Sequence, residues 1–321
     1  MLKTKQPLHL STIIILIVSM VFALLMGSGV YGYGSDWYAA YNRPNLGWGG
    51  IFDRLGYILS TLTINGLHLG IQIVTFMLSL SAGLLIREHL KFKQSYSLIF
   101  FILIYLTAIH TWPIIMSTSN AMRQGLAMSF IFMALVAGSR KNLSWMLLLA
   151  FISIFMHSAA LILFMIIIFS YTLNILLTTF PYKQKVIIHF LIGLLLLFLA
   201  YYFLNIFRLG GGVESSRVIR GDFRGAFIAI GIIYVSLSFV YKSILSNTFN
   251  LSLYYFSFIA PALLLNNLNW QYERLGMMML IPYILSLGIL LDRPTYKIYV
   301  ISTFLALLFL TFFMGMYASL I

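Results

Sequence analysis

The chain has 321 residues, of which 61% are hydrophobic and 8% are charged, with 20 basic against 7 acidic side chains. Soluble domains carry about 25% charged residues, so this composition excludes a soluble globular fold. The absence of cysteine excludes disulfides, thiol catalysis and cysteine-ligated metal sites.

The apolar stretches predict a polytopic, all-α membrane bundle, because each is close to the length of about 20 residues that crosses a hydrocarbon core. The uncharged stretch 143–179 is too long for one span, so we divide it at His157 and Ser158. We expect one domain, residues 1–321, with a cytoplasmic N-terminus. The eleven predicted spans lie near residues 10–31, 66–86, 95–110, 119–138, 143–156, 158–179, 186–204, 226–244, 249–266, 275–291 and 298–319.

The basic residues divide by type when the N-terminus is placed in the cytoplasm. The cytoplasmic side then holds all nine lysines and three arginines, whereas the outer side holds arginine alone. A guanidinium binds phosphate in a bidentate fashion, so an outer cavity lined by arginine suits an anionic lipid-linked substrate. Alternatively, these arginines pair with nearby acids and bind lipid headgroups. The outer arginines are Arg43, Arg54, Arg123, Arg208, Arg217, Arg220, Arg224 and Arg274.

Two predicted outer loops, near 32–65 and 205–225, are long enough to shape such a cavity. The first places a carboxylate beside aromatic rings, which suit the C–H faces of sugars but also suit the membrane interface. The second places arginines after three glycines, which favour a hinge. The candidate residues are Asp36, Trp37 and Tyr38 in the first loop and Arg217, Arg220 and Arg224 in the second.

Further candidates lie at the outer ends of two predicted central spans. Arg123, between Asn120 and Gln124, stands about one turn into an apolar helix. A guanidinium there needs an anion or a polar cavity, unless it snorkels to the headgroups. His157 lies at the same boundary, and histidine is the side chain that exchanges protons near neutral pH, which suits deprotonation of a sugar hydroxyl.

The tenth predicted span opens with Tyr272, Glu273 and Arg274. Arg274 either faces the anion, with Glu273 orienting it or accepting a proton, or forms a neutral pair with Glu273. The sequence contains no metal-binding, Walker or dinucleotide motif, so no metal or cofactor is expected. A transferase outside the cytoplasm has no nucleotide sugars, and a polyprenyl diphosphate would supply its leaving group, with arginines stabilising the departing charge.

Four short motifs occur in order within residues 30–290. They are Ser-Asp-Trp-Tyr-Ala-Ala-Tyr at 35–41, Asn-Ala-Met-Arg-Gln-Gly-Leu-Ala at 120–127, Phe-Met-His-Ser-Ala-Ala-Leu at 155–161 and Tyr-Glu-Arg at 272–274. Together they resemble the EpsG family of Wzy-like polymerases of bacterial exopolysaccharide, capsule and O-antigen. By this resemblance, Asp36, Arg123, His157 and Arg274 match the family's functional positions.

The resemblance implies a GT-C-like bundle with an extracytoplasmic cavity. It implies a metal-independent glycosyltransferase that joins undecaprenyl-diphosphate-linked oligosaccharide repeat units on the outer face of the inner membrane. Besides this substrate and membrane lipid, the expected partner is a co-polymerase that regulates chain length; no nucleic acid is expected. We expect His157 or Asp36 to assist deprotonation of the acceptor. The alternatives are a flippase for the same glycan, an acyltransferase that uses His157, and a polysaccharide ligase.

Overall fold

The computed structural model describes residues 7–29, 58–59, 61–65, 67–91, 98–157, 159–207, 224–266 and 269–291. Most of these residues are helical, as the apolar composition predicts. The chain divides into two compact units, with described residues up to Ala160 in unit 1 and those from Leu161 onward in unit 2. The expectation that the chain is one domain stays a prediction.

Unit 1 contains helices, a π-helix and a small hairpin. Its α-helices are α1 (Pro7–Gly27), α2 (Leu69–Lys91), α3 (Leu98–Ile109), α4 (Trp112–Ile115), α5 (Met122–Ser139) and α6 (Leu143–Met156), and the π-helix spans Met116–Asn120. The hairpin pairs β1 (Thr63–Ile64) with β2 (Leu67–His68) in antiparallel register. The hairpin is not apparent in the sequence, because strands of two residues leave no readable alternation of apolar and polar positions.

Unit 2 is helical throughout its described part. Its α-helices are α7 (Ala160–Leu176, whose first residue belongs to unit 1), α8 (Tyr182–Phe207), α9 (Arg224–Leu237), α10 (Thr248–Leu265) and α11 (Asn269–Leu291). A short 3-10 helix, Lys242–Ile244, precedes α10.

The predicted spans coincide with described helices, with one exception. The span predicted at 298–319 lies outside the described residues, and the other ten match α1–α3 and α5–α11. The division at His157 is confirmed, because α6 ends at Met156 and α7 begins at Ala160. Five helices, α1, α2, α5, α8 and α10, are long and apolar enough to cross a membrane. These helices fit a multi-pass membrane protein, whereas eleven crossings and a GT-C-like fold stay predictions.

Helices α1 and α2 run antiparallel in unit 1. A side chain at Gly27, the last residue of α1, would collide with Gln72 near the start of α2. At the opposite end, Thr12 Oγ1 in α1 accepts a hydrogen bond of 2.5 Å from Arg87 Nη1, near the end of α2. Because Gly27 has no Cβ, the end of α1 can lie close to the start of α2.

Helices α2 and α5 run parallel. Near their starts, Val74 Cγ1 would lie 2.8 Å from a Cβ added to Gly125. Near their ends, Arg140 donates hydrogen bonds of 2.9 and 2.6 Å, from Nε and Nη2, to Glu88 Oε2. These contacts define two ends of unit 1. The N-terminal end contains Thr12, Glu88 and Arg140, and the Arg123 end is the one at which α5 begins.

A buried tyrosine links three helices in the middle of unit 1. The hydroxyl of Tyr105 in α3 lies 2.8 Å from Ser19 Oγ in α1 and donates to the Ser79 carbonyl oxygen in α2 at 3.2 Å. Lipid tails offer no hydrogen-bond partners, so such bonds between transmembrane helices contribute about 0.6–2 kcal/mol each. Tyr105 therefore fixes the lateral position of α3.

In unit 2, α9 and α11 run parallel. Phe227 fills the space where a Cβ on Gly276 would lie, and seven residues later in each helix the Tyr234 and Tyr283 rings meet edge to face at 5.4 Å. Helix α10 runs antiparallel to both, because Tyr283 in α11 contacts Ser257 in α10, whereas Ser286, later in α11, donates to Asn250, earlier in α10. Arg224 and Arg274, in the starts of α9 and α11, therefore lie at one end of unit 2, the Arg274 end.

The described lysines of unit 2 lie at the opposite end, which we call the lysine end. Tyr182, at the start of α8, donates a hydrogen bond to the carbonyl oxygen of Ser238, just after α9. The Lys242 ammonium lies 5.5 Å from the Tyr182 ring centroid, within cation–π range. Within each unit, the described bases are thus sorted by end as the sequence predicts, while the sidedness relative to the membrane stays a prediction.

Because the chain contains no cysteine, single cysteines can map this sidedness directly. Ser28, after α1, and Lys141, after α5, are both exposed and lie at opposite ends of unit 1. We expect Ser28→Cys to react with a membrane-impermeant maleimide in intact cells, and Lys141→Cys to react only after permeabilisation. Labelling of both variants in intact cells would contradict the arrangement, and the reverse pattern would place the N-terminus outside.

Candidate functional site

The structure places four predicted site residues with described side chains. Arg123, Gln124 and His157 belong to unit 1, whereas Arg274 belongs to unit 2. For Asn120, Arg224, Tyr272 and Glu273, only the backbone is described. The remaining predicted residues, Asp36, Trp37, Tyr38, Arg217 and Arg220, lie outside the described residues.

A break in the helical backbone precedes Arg123. The π-helix Met116–Asn120 ends at Ala121, whose dihedral angles (φ −114°, ψ 60°) are not helical and whose N–H bonds back to the Met116 carbonyl oxygen at 2.8 Å. Helix α5 then begins at Met122. Arg123 is therefore in the first turn of α5, and its predicted place one turn inside the helix is corrected to the helix start.

The residues just before Arg123 include hydroxyl side chains that compete with the helical backbone. The hydroxyl of Thr118 bonds to the Ile115 carbonyl oxygen at 2.7 Å, so it competes for a backbone acceptor of the helix. Both Ser117 and Thr118 are fully buried. Short π-helical segments are rare and occur frequently at functional sites, which makes this segment a candidate part of the site.

A glycine brings the π-helix against the start of α5. A Cβ added to Gly125 would lie 2.0 Å from the Ser117 carbonyl oxygen, closer than any real contact. Beside it, Gln124 is 1% exposed and its Nε2 donates a long hydrogen bond of 3.4 Å to Ser117 Oγ. Gln124 therefore faces the interior of unit 1, whereas Arg123, the preceding residue, is half-buried.

The start of α5 is electropositive. Ala121 supplies no side-chain cap, so the N–H groups of the first turn add their partial positive charge to that of the Arg123 guanidinium. Backbone N–H groups at a helix start together with an arginine are suited to phosphate oxygens. This arrangement is chemically able to bind an anion.

His157 occupies the turn between α6 and α7 and is 8% exposed. Its backbone is extended (φ −155°, ψ 125°), and its Nδ1 accepts a hydrogen bond of 3.1 Å from the backbone N–H of Ala159. In the neutral imidazole the proton then lies on Nε2, because Nδ1 is the acceptor. His157 is therefore arranged as a hydrogen-bond donor through Nε2 and not as a base at that nitrogen.

Arg123 and His157 lie at the same end of unit 1. Helices α5 and α6 are joined by a short turn, and the Met146 side chain in α6 lies 2.9 Å from where a Cβ of Gly138 in α5 would be. They therefore run antiparallel. Counted from the turn, Arg123 and His157 are about 26 and 22 Å along their helices at 1.5 Å per residue, so they lie at nearly the same level.

Three other described histidines, His68, His110 and His189, lie away from the start of α5 in sequence. His110 Nδ1 forms a hydrogen bond of 2.7 Å with the Leu106 carbonyl oxygen, and the centroids of the His110 and Phe22 rings lie 5.2 Å apart. The Nδ1 of His189, which is fully buried, lies 2.5 Å from the Tyr255 hydroxyl. Both therefore have packing and hydrogen-bonding roles inside their units. His68, in β2, is half-buried, and this burial lowers its pKa.

Several polar residues near the Arg123 end were not predicted from the sequence. Ser117 and Thr118 precede the break, and Gln72 and Thr75 lie on consecutive turns in the first half of α2. Thr75 is fully buried, and its hydroxyl has no hydrogen-bond partner among the described residues. The signal that could have identified them is the grouping of hydroxyl and amide side chains near the ends of otherwise apolar segments.

Comparison with protein-family models, with curated proteins and with solved structures finds no match for this chain. The site is therefore interpreted from its own residues.

The close contact at Gly125 can be tested with a matched pair of glycine substitutions. Gly125→Ala should lower the free energy of unfolding by about 1–3 kcal/mol, because the Ser117 backbone must move to make room. Gly138→Ala is the control, since its Cβ would meet the flexible end of Met146. Thermal unfolding of the purified variants measures both, and an equal melting temperature for the two would contradict the contact.

Proposed function

We propose that this protein is a membrane glycosyltransferase of the polysaccharide polymerase type. Its donor would be a growing glycan on undecaprenyl diphosphate, and its acceptor the non-reducing sugar of another lipid-linked repeat unit, on the outer face of the bacterial plasma membrane. The resemblance of the four sequence motifs to the EpsG family suggests this reaction. The structural observation that carries the proposal is Arg123 in the first turn of a helix that begins at a break, level with His157.

A diphosphate ester fits the charge at the start of α5. The leaving diphosphate gains negative charge as the glycosidic bond breaks, and fixed positive groups that are already oriented stabilise that charge best. Arg123 would bind the phosphate oxygens with two parallel N–H groups, and the first-turn amides of α5 would supply further donors. A rigid cationic site of this kind serves the purpose that a divalent metal serves in other transferases.

The remaining predicted residues have roles in this proposal. The acceptor hydroxyl attacks the anomeric carbon, the bond to the diphosphate oxygen breaks, and the hydroxyl proton passes to a base. Since His157 Nδ1 already accepts an N–H, we assign it a donor role toward the diphosphate or the sugar, and we assign the base to Asp36. Arg274 and the arginines of the 205–225 loop stay sequence-based candidates for binding a lipid-linked diphosphate.

Replacement of Arg123 tests the proposal. In vesicles that contain the purified protein and lipid-linked repeat units, Arg123→Ala should slow chain elongation by about 100- to 1,000-fold, as expected when a group that stabilises the leaving charge is lost. Arg123→Lys should be intermediate, because it keeps the charge and loses the bidentate geometry.

The control for Arg123 is Lys141→Ala, which removes one exposed positive charge from the other end of unit 1. It should elongate at the wild-type rate. Gel separation of the glycan products measures elongation and also distinguishes a flippase, which forms no new glycosidic bond. Wild-type elongation by Arg123→Ala would reject the assigned role.

His157 can be separated into its turn-forming and its chemical contributions. Asn247 already accepts an N–H from Phe249, two residues later, at 2.9 Å, the same geometry that His157 makes with Ala159. His157→Asn should therefore keep the turn and the melting temperature while it loses elongation. His157→Ala should lose elongation and also about 1 kcal/mol of stability. Normal elongation by His157→Asn would limit the imidazole to a structural role.

A further inference from the structure

The N-terminal end of unit 1 has an excess of positive charge. Glu88 is the only acid in the sequence between Asp53 and Glu214, and the neighbouring segments 1–6 and 92–97 contain lysines and no acid. At the adjoining helix ends, the bases with described side chains are Arg87, Arg140 and Lys141. Together with Glu88 they carry three positive charges against one negative charge.

Glu88 is already engaged by Arg140. Its side chain is 8% exposed, and its Oε2 accepts both the Nε and the Nη2 hydrogen bonds of that arginine, at 2.9 and 2.6 Å. The Arg140 side chain remains 46% exposed. One carboxylate thus compensates one guanidinium, and the compensated arginine still presents part of its surface outward.

Arg87, one residue before Glu88, is in a different situation. It is half-buried and makes one hydrogen bond among the described residues, from Nη1 to the neutral hydroxyl of Thr12 at 2.5 Å. Within the described part of the chain it has no ion pair, and its Nε is buried without a hydrogen-bond acceptor. The nearby Glu88 carboxylate attracts the Arg87 guanidinium, but it is hydrogen-bonded to Arg140, whose like charge is also close and opposes this attraction. A partly desolvated guanidinium that forms no ion pair of its own among the described residues is unfavourable, and the bond to Thr12 fixes its position but adds no negative charge.

We propose that Arg87 is the central residue of a phosphate-binding site at the N-terminal end of unit 1. Thr12 holds the guanidinium in place, and the exposed part of Arg140 lies nearby as a second donor. The ligand is a phosphate group, either the headgroup of an anionic phospholipid or free inorganic phosphate. Arginine is the appropriate residue here, because its planar set of N–H groups binds two phosphate oxygens at once.

The site is separate from the proposed reaction. It lies at the opposite end of unit 1 from Arg123, since α2 and α5 run parallel and Arg87 is near the end of α2. In a membrane-embedded bundle, that position in the last turn of a spanning helix corresponds to the depth of lipid headgroups. A bound anion there would tie α1 to α2 through Arg87 and Thr12.

Lipid retention by the full-length protein tests this site. The protein is purified in mild detergent with equal amounts of dioleoyl phosphatidylglycerol and dioleoyl phosphatidylcholine, and bound lipids are counted by native mass spectrometry. The wild type should retain phosphatidylglycerol preferentially, and Arg87→Gln should retain it about tenfold less, the loss expected for one charge-assisted hydrogen-bonding partner. Lys141→Gln, which removes the same charge from an exposed position, should retain it normally.

A second arm distinguishes the two sources of phosphate. Thermal stabilisation by inorganic phosphate without lipid, present in the wild type and absent in Arg87→Gln, would identify the free anion as a ligand. Thr12→Val leaves every charge in place and should weaken phosphatidylglycerol binding by a smaller factor than Arg87→Gln does. If Arg87→Gln does not fold, Thr12→Val alone tests whether the site exists. Equal losses in Arg87→Gln and Lys141→Gln, or wild-type binding by Thr12→Val in that second case, would overturn the proposal.

Discussion

Hydrocarbon cannot donate or accept hydrogen bonds, and this constraint governs the described structure. A backbone in lipid must satisfy its own N–H and C=O groups, which is why nearly every long apolar segment is an α-helix. Irregular backbone is tolerated only where protein or a polar cavity surrounds it. In unit 1, two of the breaks between described helices, at Ala121 and at His157, lie at the Arg123 end, so the functional hypothesis centres there.

The same constraint explains the polar interior of unit 2. Four tyrosines in the described part of this unit are fully buried, and the hydroxyl groups of Tyr234, Tyr255 and Tyr283 bond to other helices, as in the 2.7 Å contact between Tyr234 and Ser286. Tyr283 donates to the Leu253 carbonyl oxygen at 2.7 Å. In lipid, such bonds replace the hydrophobic effect as the force that holds helices together. The polar residues of unit 2 are therefore explained first by helix association, and His189 belongs to this network.

The helices could be predicted from the sequence, because apolar stretches of spanning length and the polar residues between them are visible in it. Arg123 and His157 could be assigned to one boundary, because α5 and α6 are joined by a short turn. It could not predict the π-helix, since no proline or glycine lies within Met116–Ala121 to indicate a break. Nor could it predict the His157 Nδ1 contact, which sets the proton position through backbone geometry. Contacts between side chains distant in sequence, such as Tyr105 with Ser19, have no local pattern.

The central claim is that a diphosphate binds at the start of α5, and equilibrium binding of the isolated lipid tests it without any polymerisation. The measurement compares undecaprenyl diphosphate with undecaprenyl monophosphate on the purified wild type and on Arg123→Gln. We expect the wild type to bind the diphosphate more tightly than the monophosphate. Arg123→Gln should bind the diphosphate about tenfold more weakly than the wild type does, and should therefore lose the preference for the diphosphate over the monophosphate. An unchanged preference in Arg123→Gln would contradict the account.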